Sequence, residues 1–132
     1  MTDEEKIREL LRSWHRATAQ GDVSQLMPLM AEDVVLLSAG QAPLRGREAF
    51  ASHLRAALEK VRLEPSGDVQ EICIAGDFAY CWTDVVLRMT PRDSAPILQL
   101  VGPDLTILRK EPDERWVVFR AASMLVIQQV PG

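Results

Sequence analysis

The run Gly76-Asp77-Phe78-Ala79-Tyr80-Cys81-Trp82-Thr83-Asp84-Val85-Val86-Leu87-Arg88-Met89-Thr90 is the stretch that decides the fold. Its odd positions, Ala79, Cys81, Thr83, Val85, Leu87 and Met89, make one smooth face. Its even positions, Tyr80, Trp82, Asp84, Val86 and Arg88, make a face of large aromatics beside charges. Side chains that change sides at every residue belong to a strand. Gly76-Asp77 is hairpin punctuation, so residues 68–75 form the partner of 78–90 in an antiparallel pair. The smooth face suits a pocket wall, and the mixed face suits an interface or a polar outer surface.

Towards the C-terminus the same period continues through 97–110 and 115–128, joined at Glu111-Pro112-Asp113-Glu114. The segment 91–96 is a loop, and Gly102-Pro103 predicts a bulge at a sheet edge. Towards the N-terminus the period lengthens to that of a helix. Thr2 and Glu5 form a capping box ahead of Ile7, Leu11, Trp14, Ala17 and Thr18, which predicts a helix over 3–20 ended by Gly21. Asp22 caps a short second helix carrying Leu26, Leu29 and Met30, in which Pro28 removes a hydrogen bond. Val34 to Ser38 reads as a strand, 40–43 as a turn, and residues 45–60 as a third helix burying Phe50, Leu54 and Leu58. Helices grouped before antiparallel strands predict an α+β domain, not a doubly wound parallel sheet.

A length of 132 residues fits one domain, 1–132, able to bury roughly two-thirds of its unfolded surface. Composition is ordinary for a globular protein, 47% hydrophobic and 26% charged. A net charge of −4 with no dense Lys/Arg cluster makes nucleic acid a poor partner. The acidic start Met1-Thr2-Asp3-Glu4-Glu5 lacks the apolar core of a signal peptide, and no stretch nears the ~18 apolar residues of a membrane span. A cytoplasmic location is therefore expected. Cys73 and Cys81, symmetric about Asp77, read as buried thiols or, alternatively, as cross-strand neighbours able to form a disulfide.

The ordered pieces Trp14…Ala17…Gly21-Asp22, Leu29-Met30-Ala31-Glu32-Asp33-Val34-Val35, Leu44-Arg45-Gly46-Arg47-Glu48-Ala49-Phe50, Gly76-Asp77-Phe78-Ala79-Tyr80 and Leu105-Thr106-Ile107-Leu108-Arg109-Lys110 with Trp116-Val117-Val118 span nearly the whole chain. In this order the chain resembles the nuclear transport factor 2-like superfamily, in its branch of SnoaL-like cyclases and ketosteroid isomerase homologues. The resemblance implies a cone-shaped half-barrel, three N-terminal helices packed on a curved mixed or antiparallel sheet. It also implies a homodimer through the convex sheet face.

The resemblance further implies where acid–base chemistry would sit. In an isomerase-like site a carboxylate on the first strand moves a carbon-bound proton, while acidic donors stabilise the enolate oxygen. Those positions fall at Ser38 for the base and at Trp14 and Thr106 for the donors. The acid of SnoaL-like cyclases falls at Ala121 on the last strand, and a slip of one residue reaches Arg120 or Ala122. Neither mechanism finds its carboxylate.

From the residues themselves, Asp84 and Glu71 are the strand acids near the middle of the sheet. Parity puts Asp84 on the mixed face, where Arg109 or Arg120 would pair with it. His15 reads as a half-exposed helix residue or one that reaches the pocket mouth; His53 reads as a surface residue. Asp84 and His15 are thus weak catalytic candidates. Asp22 reads as a cap and Asp33 as a junction residue, and Trp82 and Trp116 as packing or dimer residues. The histidines and cysteines lack metal-ligand spacing, and neither nucleophile-elbow, phosphate-loop nor dinucleotide motifs occur, so no metal or cofactor is expected.

The expected pocket lining is Trp14, Thr18, Met30, Leu36, Ser38, Phe50, Leu54, Cys81, Thr83, Thr106, Leu108, Phe119, Ala121 and Ser123. It suits a small, uncharged, largely apolar ligand. A binder of this kind, with cyclase- or isomerase-like turnover lacking the usual carboxylate base, is one expectation. The other is a dimerisation or protein-interaction module whose cone is filled by Trp14, Phe50 and Phe119.

Overall fold

The computed structural model describes residues 1–128; the last four residues of the expected 1–132 domain lie outside them. Helix α1 covers Asp3–Gln20, α2 Val23–Leu26, a 3-10 turn Met27–Leu29, and α3 Arg47–Leu58. The strands are β1 Met30–Ser38, β2 Leu44–Arg45, β3 Val61–Ala75, β4 Phe78–Pro91, β5 Leu98–Lys110, β6 Trp116–Ser123 and β7 Val126–Ile127. They form one curved, unclosed sheet in the order β2-β1-β6-β5-β4-β3, with β7 paired to β5. Among the described strands only β1 and β6 run parallel; the remaining pairs are antiparallel. The mixed α+β architecture is therefore present, with strands longer than expected at β1 and β3. Among the described residues no helix is long and apolar enough to cross a membrane.

Local chemistry explains the helix ends. The Thr2 hydroxyl accepts from the Glu5 N–H, the Glu5 carboxylate accepts from the Thr2 N–H, and Gly21 stops α1 at φ 68°. Asp22 accepts from the Gln25 N–H and starts α2, which Pro28 turns into a 3-10 segment. The apolar stripe of α1 lies on the sheet. Ile7, Leu10 and Ala17 bury against Met30, Val34, Leu108, Trp116 and Val118, joined by Ala51 and Leu54 of α3. Each large side chain buried in this way contributes about 1.5–3 kcal/mol. The Trp116 indole N–H donates to Asp3 at 3.0 Å, and Lys110 pairs with the same carboxylate at 3.2 Å, which pins the first turn of α1 to the sheet.

Two expectations are corrected here. Gly102-Pro103 is not a bulge: β4 and β5 pair without a shift from Phe78 to Met89. The proline instead sits where β6 ends and β7 begins on the other side of β5, so its missing N–H falls at a gap in the ladder. A Cβ on Gly102 would stand 2.5 Å from the Met124 carbonyl oxygen, which is why glycine occupies that crossing. Bulges lie instead in β6, where Ile107 pairs with Arg120 and Leu108 with Val118, leaving Phe119 as an extra residue, and in β3, where Gln70 is extra between Val69 and Glu71. Cys73 and Cys81 are not cross-strand partners. Cys73 pairs with Tyr80 and Cys81 with Ile72, and the thiols are free, one exposed and one buried.

Candidate functional site

Sheet register sets the chemistry of the concave face in rows. Antiparallel neighbours at one level point to one side, and so do the parallel partners of β1 and β6. The deepest row, Val118–Leu108–Ala79, is buried core. The next reads Leu36–Ala121–Thr106–Cys81 across β1, β6, β5 and β4. The row nearest the open end reads Ser38–Ser123–Asp104–Thr83, and every member of it is polar.

Above these rows the two long helices contribute aromatic and imidazole groups. Trp14 and His15 come from α1, Phe50 and His53 from α3, and the Trp14 and Phe50 rings meet at 5.6 Å with a tilt of 39°. Between helices and sheet lies a cavity of about 220 Å³. Besides these four residues it is bounded by Leu11, Leu36, Leu37, Ser38, Gln41, Leu44, Thr83, Val85, Asp104, Thr106, Val118, Ala121 and Ser123. The larger concavities elsewhere are surface grooves, such as the one between Gln20 and Glu59 or the ionic cleft between Glu32 and Arg115. The groups with displaced pKa that are also buried, His15, Cys81 and Asp104, gather in and beneath the cavity between helices and sheet instead.

Of the expected lining, Trp14, Leu36, Ser38, Phe50, Thr83, Thr106, Ala121 and Ser123 border this cavity. Thr18 and Leu54 border an adjoining one. Met30, Cys81 and Leu108 are packed into the core beneath. Phe119 is on the other side of the sheet, because the β6 bulge reverses its parity: it stacks under Arg120 at 3.8 Å and Arg109 at 4.6 Å, and meets Phe78 edge-on. The aromatic meeting of Trp14, Phe50 and Phe119 that would have filled the cone does not form.

The candidate acids also move. Asp84 is exposed on the convex face opposite Asp68 and Pro103. The expected partners are engaged elsewhere: Arg109 pairs with Asp33 at 3.2 Å and Glu111 at 3.3 Å, and Arg120 donates to the Asp33 and Phe119 carbonyls. Glu71 pairs across from Trp82 on that same convex face. The pocket carboxylate is Asp104, which the sequence pattern did not single out. Its Oδ1 is buried and has no hydrogen-bond partner. Burial pushes the Asp104 carboxyl above the usual carboxylate range, and the neighbouring Ser123 hydroxyl opposes this in part.

His15 is half-buried, and desolvation holds its pKa below the ordinary histidine value, which keeps the ring neutral at neutral pH. Its ring lies over Gly67 of β3 and beside Thr83. A Cβ on Gly67 would come within 2.6 Å of the His15 Cε1 and 2.8 Å of the Thr83 Cγ2, so the absent side chain makes the seat for the imidazole. His53 is exposed at the cavity rim. The Cys81 thiol below is pushed up to about 11, chiefly by burial, and is inert at neutral pH. The arrangement holds one carboxyl and one neutral imidazole in an apolar enclosure, with hydroxyls on the same polar row. Such a set can move a proton and hydrogen-bond a developing oxyanion.

The profile of the SnoaL-like domain family matches residues 11–129 of this chain. No curated protein sequence matches it. Among solved structures, a conserved protein from Planctomyces limnophilus superposes with a TM-score of 0.91 at 32% identity, over 96% of this chain and 98% of that one. A ketosteroid isomerase-like protein from Erwinia carotovora atroseptica gives 0.84 at 17% identity, over 96% and 98%. An NTF2-like superfamily protein from Salmonella enterica gives 0.81 at 15% identity, over 97% and 92%. The last two likenesses concern the fold.

Proposed function

The chain belongs to the SnoaL-like family, and we propose that within it the protein binds a small, largely apolar, uncharged carbonyl compound and transfers a proton on it, as an isomerase or cyclase does. The observation that carries this reading is the carboxyl of Asp104, one oxygen of which is buried without a hydrogen-bond partner, among the residues that border a cavity otherwise lined by apolar and neutral groups. A buried polar atom without a partner is rare in a folded chain, and a bound ligand is one thing that supplies a partner. A carboxyl with a raised pKa is also a better match to a carbon acid than an ordinary one.

In this scheme Asp104 takes the proton from the carbon beside the carbonyl, and the C–H electron pair passes into the enolate. The carbonyl oxygen accepts hydrogen bonds from neutral donors, for which the Trp14 indole, the His15 imidazole and the Thr106 hydroxyl are placed on the cavity wall. The same carboxyl returns the proton at another carbon. His15 in its neutral form adds no positive charge that would hold Asp104 ionised and weakly basic.

A direct test uses 2-tetralone, an apolar bicyclic ketone, in D₂O. Exchange of its α-protons above the buffer rate is expected, falling on the order of a hundredfold or more in Asp104→Asn. Buffer-level exchange with the unmodified protein, or unchanged exchange in the variant, overturns the reading.

The convex face supports a homodimer as the assembled form. Phe78, Tyr80, Val86, Leu105 and Ile107 all expose apolar surface on the side away from the cavity. The two free thiols are in keeping with a reducing, cytoplasmic setting.

A further inference from the structure

The cavity described above does not end at Asp104. A second, half-open hollow of about 240 Å³ adjoins it, bounded by Thr18, Leu54, Leu63, Pro65, Leu87 and Leu125 in addition to residues it shares with the first. The shared residues are Trp14, His15 and Phe50 from the helices and Val85, Asp104 and Ser123 from the sheet. Three groups from above and three from below thus form a waist between two lobes, and the orphaned carboxylate stands at that waist.

The lobes are similar in size, about 220 and 240 Å³, and each exceeds the ~150 Å³ of an apolar cavity that accommodates one benzene ring. Outside the waist the second lobe has a single hydroxyl, that of Thr18, which already donates to the Trp14 carbonyl at 2.8 Å. That lobe therefore has an apolar arm of a ligand to recognise and no polar one.

From this we infer that the site takes an elongated ligand with two ring-sized apolar groups flanking one hydroxyl or carbonyl, the polar function sitting at Asp104 and one ring in each lobe. The inference rests on Asp104 facing the ligand, as in the function proposed above, and it deepens that reading by fixing where on the substrate the polar atom lies. A ligand with one ring and a terminal hydroxyl would satisfy Asp104 and leave one lobe empty. A two-ring ligand with its polar function at one end would strand either a ring or the carboxylate.

Binding of benzhydrol, which has a hydroxyl between two phenyl rings, is compared with that of benzyl alcohol, which lacks the second ring, by calorimetric titration. Burying the second ring predicts a preference for benzhydrol of about thirtyfold or more. Leu87→Trp fills the second lobe from β4 and is expected to remove that preference while leaving benzyl alcohol within about threefold of its original affinity. Leu125→Trp fills the same lobe from its rim and serves if the β4 variant does not fold.

Equal affinities for the two alcohols in the unmodified protein, no binding of either, or a preference that survives a folded lobe-filling variant each overturn the two-lobe site. Asp104→Asn separates the two levels of the argument. Weaker binding of both alcohols with the preference intact supports lobes and carboxylate together. Unchanged binding of both, again with the preference intact, retains the lobes and sinks the assignment of Asp104 as the ligand's polar partner.

Discussion

Replacing Asp104 by leucine should make this protein more stable. The carboxylate has one buried oxygen with no partner among the protein groups, and a buried polar group in that state costs about 1–3 kcal/mol, more when charged. Leucine removes the charge and the unpaired acceptor, and the cavity beside it leaves room for the larger side chain. For a domain of this size 1 kcal/mol corresponds to about 3–5 °C in Tm, so a rise of about 3–15 °C at neutral pH is expected. The sign of the pH dependence follows from the raised pKa. Between the ordinary value, 3.8, and the higher folded value, the folded chain binds more protons than the unfolded one. The stability of the unmodified protein gained from protonating Asp104 is therefore fully present below the ordinary value and lost as pH rises through the folded pKa. The gap between Asp104→Leu and the unmodified protein must widen over that window and shrink on acidification. Differential scanning calorimetry at several pH values measures both. A Tm that falls in the variant, or a gap that does not change with pH, would show that Asp104 is paired and structural, and the site would lose its central observation.

Three further outcomes follow from particular contacts. The His15 ring should titrate below the ordinary value of 6.5 by NMR, and its burial as a neutral group should weaken the fold as pH falls through that value towards the folded pKa; titration at or above 6.5 contradicts the buried seat. Gly67→Ala should cost about 1–3 kcal/mol in urea unfolding because its Cβ meets His15 and Thr83, and the share due to His15 should vanish when His15→Ala is added, leaving that due to Thr83; fully additive effects would mean that the ring does not sit over Gly67. Trp116→Phe removes the leading cause of the depressed Asp3 pKa, so the stability held above that carboxyl's unfolded pKa is reduced, and acid unfolding should begin at higher pH; an unchanged acid midpoint would discount the tie between α1 and β6.

The fold was legible because each signal in it was local and repeated. The capping box, the α1 stripe, the Gly76-Asp77 hairpin and the alternation of β4 stand where the pattern puts them, and the smooth face of β4 does turn inward. The site was legible only where parity stayed unbroken. Unbroken alternation through Ala121 and Ser123 would turn Phe119 into the pocket, and a bulge of one residue breaks it. Asp104 escapes the pattern for the opposite reason. Gly102-Pro103 looked like an interruption, yet β5 runs through it in register, so Asp104 shares the face of Thr106 and Leu108. Had the strand been read straight, the same alternation that placed Thr106 would have placed the carboxylate. His15 depended on a glycine on another strand, a pairing that no spacing within α1 could reveal.

The β6 bulge also bears on why the cone is open at all. Without the extra residue, Phe119 would keep the parity of Ala121 and project into the concave side, where Trp14 and Phe50 already meet. The bulge sends the ring outward between Arg109 and Arg120 and leaves Val118 and Ala121 on the wall. A hollow of about 220 Å³ between helices and sheet is volume that core side chains could have packed. The unpartnered Asp104 oxygen adds a second cost at the same spot. A module that used this cone only as core would gain from filling it and from a neutral residue at position 104. Two separate costs borne at one place, with an imidazole seated beside them, are what a ligand site requires and what a packing role leaves without a reason.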